Sequence, residues 1–112
     1  MDVSNNSGLI EELQMLEQQL NAVLAQKQMF QVDSQEISNA LKELKETKDD
    51  VYKVLSGIMI KSDKNELIKD LEERKKLSDL RINSIEKQEK ALEERSTKLK
   101  EKLKGSLIKP GR

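Results

Sequence analysis

Apolar residues in the first half of the chain recur at alternating steps of four and three residues. Starting from Leu9, these steps reach eleven positions as far as Leu44, and nine of them are apolar. Such a repeat, sustained over about five heptads, predicts a helix that pairs with another along a coiled-coil seam. The two polar exceptions, Lys27 and Ser34, are interpreted as residues that fix the register or as tolerated polar positions. The positions of this first seam are Leu9, Leu13, Leu16, Leu20, Val23, Lys27, Phe30, Ser34, Ile37, Leu41 and Leu44.

A second and weaker seam runs through the last part of the chain. It has eleven positions between Ile68 and Leu103, of which seven are apolar. Leu77 and Leu80 lie outside this register, which predicts a local stutter or a change of helix face near them. The positions of this second seam are Ile68, Leu71, Lys75, Ser78, Ile82, Ile85, Glu89, Leu92, Ser96, Leu99 and Leu103.

The stretch VYKVLSGIMIK, residues 51–61, differs from the helical patterns on either side of it. It is rich in β-branched residues, and Ser56 and Gly57 divide it into two short runs. Two such runs joined by a two-residue loop that contains glycine predict a β-hairpin. A helix that continues through the stretch is the alternative, and Gly57 and the β-branched content argue against it.

Capping residues and helix breakers predict the boundaries of the two helices. Ser7 is the expected N-cap of the first helix, after a loose polar tail. Asp63 is the expected N-cap of the second helix, where Glu66 completes a capping box, and Gly105 is its expected stop. The predicted segments are a first helix over residues 8–48, the hairpin over 51–61, a second helix over 63–104 and a tail over 105–112, together one domain over 1–112.

Two helices of similar length joined by a compact element favour an antiparallel pair within one chain, with both termini at one end and the hairpin at the other. The charge distribution supports this arrangement. Residues 1–50 carry four Lys and ten Asp or Glu, whereas residues 51–112 carry seventeen Lys or Arg and eleven Asp or Glu. Opposite charges on the two arms favour their pairing. The expected fold class is all-α dominated, an antiparallel two-helix coiled coil with a short β-hairpin between the helices.

Composition limits the functions open to the chain. Charged residues make up 38% of its 112 residues and aromatic residues 2%, so we expect long helices and no thick core. The absence of Cys and His excludes disulfides and the usual zinc sites. No carboxylate pair stands out beside a nucleophile or a phosphate loop, so we expect no enzyme and no cofactor or metal site. Without a signal peptide or an apolar run of about 20 residues, we expect a cytoplasmic protein with no membrane contact.

The hairpin needs a partner. An isolated two-stranded hairpin is only marginally stable in water, and its unpaired edges invite pairing with other chains. Both of its faces carry apolar residues, which the two arms, committed to each other, leave uncovered. The hairpin is therefore predicted to be an oligomerisation element that joins hairpins of neighbouring subunits. Its residues are Val51, Tyr52, Val54, Leu55, Gly57, Ile58, Met59 and Ile60.

With these elements in this order, the chain resembles the archaeal β-type subunits of the prefoldin family. The resemblance covers roughly residues 8–108, and its most specific part is VYKVLSGIMIK followed by SDKNELIKDLEER. It implies an ATP-independent molecular chaperone in which two α and four β subunits form a hetero-hexamer through their hairpins. It also implies that the coiled-coil tips hold unfolded proteins and transfer them to a group II chaperonin.

Partly exposed apolar side chains at frayed helix ends hold unfolded chains without sequence specificity, and several tips acting together add avidity. The candidate substrate-binding residues are Leu9, Ile10, Leu13, Leu103, Leu107 and Ile108. A basic cluster near the second tip is a candidate docking site for an acidic surface of the chaperonin, or else a solvated face that favours the helix C-terminus. Its residues are Lys98, Lys100, Lys102, Lys104 and Lys109.

Two other classes of function remain open on the sequence. The first is a structural coiled-coil adaptor that binds one defined folded partner through a helix in a groove. The second is a nucleic-acid binder that uses residues 98–112. Against the second, this segment has only six positive side chains and no aromatic residue for base stacking. We therefore expect no nucleic acid among the partners.

Overall fold

The computed structural model describes the backbone of residues 3–107 and the side chains of residues 7–105. Along the sequence, a two-stranded hairpin lies between two helices of 44 residues each. The elements are α1 (Val3–Glu46), β1 (Val51–Leu55), β2 (Ile58–Ser62) and α2 (Lys64–Leu107). The predicted fold class, a two-helix coiled coil with a hairpin between the helices, is confirmed.

Contacts between Cα atoms divide the chain into two compact units. Unit 1 comprises Met1–Lys27 and Ser84–Arg112, and unit 2 comprises Gln28–Asn83 and contains the hairpin. Within each unit the two helices run antiparallel, since residues further along α1 contact residues that come earlier in α2. In unit 1, Glu12 pairs with Arg95 and Lys27 with Glu89. Unit 2 follows the same rule from Ser34 with Asp79 to Lys45 with Glu72.

Both predicted seams form the interior of the coiled coil. Every one of their positions is buried or half-buried, whether its side chain is apolar or polar. The core is therefore a single strip of side chains along each helix, as expected for a chain with so few aromatic residues. Its most buried members are Leu16, Ile37, Leu41, Ser78, Ile85 and Ser96.

The start of α1 differs from the prediction. The helix begins at Val3, so Ser7 lies inside it and is not its N-cap, and the expected loose tail over residues 1–8 is helical from Val3 onward. Once a long helix is nucleated, each added residue gains one backbone hydrogen bond, which outweighs the weak helix propensity of Asn, Ser and Gly.

α1 ends at Glu46, two residues before the predicted boundary. Beyond it, the Thr47 amide donates to the Glu43 carbonyl oxygen at 2.9 Å, and the Asp49 amide donates to Thr47 Oγ1 at 3.2 Å. Lys64 Nζ donates to the Thr47 carbonyl oxygen at 2.7 Å, so a cation meets the negative end of the helix dipole.

The N-terminus of α2 confirms Asp63 as the capping residue. Asp63 Oδ1 accepts a hydrogen bond from the Asn65 amide at 3.3 Å, and its carbonyl oxygen accepts one from the Leu67 amide at 3.0 Å. Satisfying free amides in the first turn is the role of an N-cap. The helix itself begins at Lys64, one residue after the predicted start.

Two predictions about the rest of α2 are wrong. The helix continues through Gly105 to Leu107 and does not stop at residue 104, since a single glycine weakens a helix by about 1 kcal/mol without ending it. There is also no change of helix face near Leu77 and Leu80. Both side chains are exposed, and the seam continues past them through Ser78.

The hairpin forms as predicted, with β2 extending one residue further to Ser62. Leu55 pairs with Ile58, so only Ser56 and Gly57 form the loop. Both loop residues have positive φ angles, 51° and 79°. A two-residue loop of this kind is a type I′ turn, whose twist matches that of the two strands.

Candidate functional site

The hairpin leaves its apolar side chains in solvent. Six of them, three on each strand, are between 46% and 67% exposed. Val51, at the start of β1, is half-buried. Soluble chains rarely expose so many neighbouring apolar groups unless the surface meets another molecule. The six residues are Tyr52, Val54, Leu55, Ile58, Met59 and Ile60.

The strand register distributes these residues over both faces of the hairpin. Val54 lies opposite Met59 and shares its face with Tyr52. Leu55 lies opposite Ile58 on the other face, which Ile60 also joins. Because side chains of neighbouring strand positions point to opposite faces, neither face is polar. The hairpin therefore offers two apolar faces and two free strand edges.

Unit 2 also contains a groove of about 550 Å³ between the hairpin and its two helical segments. Tyr52 and Val54 line it from β1, and Leu44 and Leu71 line it from α1 and α2. Charged residues, among them Glu43, stand at the same groove. The apolar groups of the groove continue the uncovered face of Tyr52 and Val54.

The predicted substrate-binding residues that the structure describes lie in unit 1. Leu9, Leu13 and Leu103 occupy seam positions and are half-buried, whereas Ile10 lies beside the seam and is 43% exposed. The side chain of Leu107 and the whole of Ile108 lie outside the described residues. Leu9, Ile10, Leu13 and Leu103 are called the terminal surface below.

The predicted basic cluster does not lie on one side of α2. Lys98, Lys100, Lys102 and Lys104 are all exposed, and Lys109 is outside the described residues. Residues two positions apart on an α-helix are rotated by about 200° around the helix axis, so their side chains point to nearly opposite sides. Lys98 and Lys102 therefore share one side, and the other two share a different side. A flat acidic surface could contact only one pair at a time.

Lys27 holds a charge inside the first seam. Its Nζ donates a hydrogen bond to Glu89 Oε1 at 2.9 Å and lies 4.0 Å from Glu86 Oε2. The hydrogen bond to Glu89 is the main cause that raises the pKa of Lys27, and it outweighs the opposing effect of burial. The sequence singled out Lys27 but not these partners, because the register between the two helices is not contained in the pattern of either one.

A second polar group lies in unit 2. Ser34 Oγ donates to Asp79 Oδ1 at 2.8 Å, and Lys75 Nζ donates to Asp79 Oδ2 at 2.9 Å. These bonds, the one from Lys75 first, hold the pKa of Asp79 below its usual value. The buried Ser78 Oγ donates to the Phe30 carbonyl oxygen at 3.3 Å. Lys27, Ser34 and Ser78 thus each have a partner on the opposite helix, whereas Lys75 pairs with Asp79 on its own helix.

The described residues offer no group of three or more carboxylates placed to hold a metal ion. Within the same part of the chain, neither helix has the length of apolar sequence needed to cross a membrane.

The fold and the uncovered hairpin define a class of coiled-coil proteins, and comparison with known proteins identifies the family. The family model described as "Prefoldin subunit" matches residues 7–108. The prefoldin subunit beta of Methanothrix thermoacetophila is 40% identical over 98 residues, which cover 86% of this chain and 82% of that protein. That of Archaeoglobus fulgidus is 36% identical over 102 residues, covering 89% and 88%.

A solved structure agrees with the sequence comparisons. The crystal structure of the prefoldin beta subunit from Thermococcus strain KS-1 superposes with a TM-score of 0.86 at 30% identity, covering 96% of this chain and 95% of that one. The chain belongs to the prefoldin family, whose members are non-enzymatic chaperone subunits, and the resemblance found in the sequence is confirmed.

Proposed function

We propose that this chain is a β-type subunit of an ATP-independent holdase in the cytoplasm. Its hairpin joins the hairpins of other subunits, two of α type and four of β type in the complete hetero-hexamer. Its terminal surface holds unfolded proteins, which the assembly transfers to a group II chaperonin. Family membership supports the chaperone role, and the geometry of the two surfaces supports the division of labour between them.

The uncovered hairpin is the observation that carries this proposal. Burying apolar surface contributes about 25 cal/mol per Å², so six side chains that are at least 46% exposed provide a strong drive for association. The two free strand edges add main-chain hydrogen bonds when another hairpin pairs with them. Association through the hairpin therefore buries the apolar side chains of both faces and gives the main-chain groups of both edges hydrogen-bond partners.

The terminal surface supports weak and unspecific holding. Ile10 gives it an exposed apolar group, and the half-buried leucines beside it become accessible when the last turns of the helices open. A single surface of this size binds weakly. Several of them on one assembly raise the overall affinity, because the second contact becomes intramolecular.

Docking to the chaperonin is assigned to the exposed lysines near the end of α2. Lys98 and Lys102 form one pair that a single acidic surface could meet, and Lys100 and Lys104 form another. The charges of each pair are reversed in a separate variant. Reversal of the pair that docks is expected to slow association with a group II chaperonin and to weaken the dependence of the association rate on salt. Reversal of the pair that does not dock is the matched control. Equal association rates for both variants and the unchanged chain would remove this part of the proposal.

Assembly is tested by light scattering of the chain alone and mixed with a candidate α subunit. The expected result is a hexamer-sized complex, which Val54→Glu abolishes because it places a charge on an apolar face of the hairpin. Val32→Glu is the matched control, since Val32 on α1 is also about half exposed but lies outside the hairpin. A monomer or plain dimer that shows no holdase activity would leave the adaptor as the better explanation.

Holding is tested by the suppression of aggregation of an unfolding protein. Ile10→Ser is expected to weaken suppression by the assembled complex without lowering its mass. Leu24→Ser is its control, because Leu24 is 39% exposed on the same helix but does not belong to the terminal surface. If both variants suppress aggregation as well as the unchanged chain, the terminal surface is not where substrates are held.

A further inference from the structure

The first seam is apolar enough for α1 to pair with another copy of itself. Nine of its eleven positions are apolar, and the helix is 44 residues long. Helices with a seam of this length readily form coiled coils with their own copies. A chain that assembles through its hairpin brings several copies of α1 close together, so something must favour α2 as the partner.

Lys27 disfavours the parallel pairing of two α1 helices. In a parallel pair in register, each seam position faces the same position of the other copy. Lys27 would then face a second Lys27 inside the seam, where neither ammonium group has a carboxylate beside it. Two like charges at close range in a partly desolvated seam oppose this arrangement.

Lys27 also disfavours the antiparallel pairing of two α1 helices. Antiparallel coiled coils align the two kinds of seam position with each other, so a position that follows a step of four faces one that follows a step of three. Lys27 follows a step of four and would face Val23 or Phe30 of the other copy. Residues 18–32 of α1 contain no carboxylate, so the ammonium group would again enter the seam without a partner.

Within the chain, the same charge is satisfied. Lys27 Nζ lies 2.9 Å from Glu89 Oε1, and the two side chains are only 22% and 17% exposed. Glu89 sits in the second seam, where it disfavours a parallel pair of α2 helices. Such a pair in register places Glu89 against its own copy, so that two carboxylates would meet.

We infer that the Lys27–Glu89 pair determines specificity, so that α1 pairs with α2 of its own chain and not with a second copy of α1. A single charged residue within a coiled-coil seam can select the partner at some cost in stability. This role is separate from the contacts of the hairpin and of the terminal surface. It predicts that removing the charge at position 27 permits pairing between copies without unfolding the chain.

The chain allows a direct test, because it contains no native Cys. Val23→Cys together with Ser34→Cys provides a reporter. The parallel pair brings each Cys to its own copy, and the antiparallel pair in which Lys27 faces Phe30 brings Cys at 23 to Cys at 34 of the other copy. After refolding under oxidising conditions, disulfide-linked dimers are quantified on a non-reducing gel. In this background, Lys27→Leu is expected to raise the linked fraction at least about threefold.

Two controls separate charge selection from general destabilisation. Lys42→Leu makes the same substitution at an exposed position of α1 and is expected to leave the linked fraction unchanged. Lys27→Glu combined with Glu89→Lys reverses the pair. It is expected to keep linkage low, since acidic side chains at position 27 still repel their own copies. The inference is overturned if Lys27→Leu gives no more linkage than Lys42→Leu, or if the reversed pair links as strongly as Lys27→Leu.

Discussion

Ser34 on α1 donates its hydroxyl hydrogen bond to Asp79 on α2, with Oγ and Oδ1 2.8 Å apart. Ser34 is a seam position, whereas Asp79 lies next to the seam and has its second carboxylate oxygen 2.9 Å from Lys75 Nζ. Both oxygens of the carboxylate thus accept hydrogen bonds that are best made in the ionised state. The hydroxyl group of Ser34, inside the seam, therefore has its hydrogen-bond partner in the carboxylate of Asp79, beside the seam.

This arrangement predicts a contribution to stability that depends on acid pH. The bonds from Lys75 and Ser34 lower the pKa of Asp79 from its ordinary value of 3.8. A pKa that is lower in the folded than in the unfolded state contributes stability above the unfolded value, which is lost as the pH falls through the folded value. The chain should therefore be more stable than Asp79→Asn at about pH 7, and the difference should shrink towards about pH 3.

Urea unfolding at fixed protein concentration, followed by circular dichroism, measures this difference. Glu73→Gln is the control, because Glu73 is an exposed carboxylate on the same helix. A difference between the chain and Asp79→Asn that stays constant over the acid range would contradict the assigned hydrogen bonds.

The narrow core predicts a sharp contrast between two leucines of α1. Leu16 is 3% exposed and Leu24 is 39% exposed, and both lie in unit 1. Leu16→Ala should lower the free energy of unfolding by about 2–5 kcal/mol, since it removes buried methyl groups and leaves a cavity. Leu24→Ala should lower it by less than about 1 kcal/mol. Equal losses in urea unfolding would mean that the seam is not the main source of stability.

The interior of this protein could be predicted almost completely from its sequence. A coiled coil has one interior strip per helix, so the spacing of apolar residues determines which positions are buried or half-buried, and this includes the polar residues Lys27 and Ser78. The hairpin was equally clear, because Gly57 and β-branched residues interrupt two helical patterns. Leu77 shows that apolar character alone does not predict burial, since this residue lies outside the seam register and is exposed.

The ends of α1 and the partners of the polar residues could not be obtained in this way. Ser7 has the chemistry of an N-cap, but helix propagation across it is a property of the whole helix and not of that residue. The partners Glu89 and Asp79 depend on the alignment of one helix against the other. Neither seam alone fixes that alignment, although a lone charge at a seam position does signal that a partner is required.

The turn of the hairpin predicts two substitutions with opposite effects. Ser56 has a φ of 51°, a conformation that Asn adopts more readily than Ser, so Ser56→Asn should stabilise the hairpin by about 0.5 kcal/mol. Gly57→Ala should destabilise it by about 1 kcal/mol. A Cβ at position 57 meets no atom within 4 Å, so this loss would come from the backbone conformation alone.

Hydrogen exchange of the amides in β1 and β2 measures both effects on the hairpin itself. The assembled complex should respond in the same order as the free chain, because a preformed hairpin lowers the entropy lost on association. Slower exchange in Gly57→Ala than in Ser56→Asn would contradict a type I′ turn.

Lys27 predicts a second dependence on pH, at the alkaline end. The hydrogen bond to Glu89 raises its pKa above the ordinary value of 10.5 in the folded chain. A group whose pKa is raised by folding contributes stability that is fully present below the unfolded value and is lost as the pH rises through the folded value. Lys27→Arg keeps its charge over this range, because the guanidinium group stays protonated. The unchanged chain should therefore lose stability relative to Lys27→Arg above about pH 10.5.

Lys42→Arg, on the same helix but exposed, controls for the titration of the other lysines, and it should follow the unchanged chain. If Lys27→Arg and Lys42→Arg lose stability in parallel, the charge of Lys27 does not stabilise the seam, and the selection of α2 by that charge loses its physical basis.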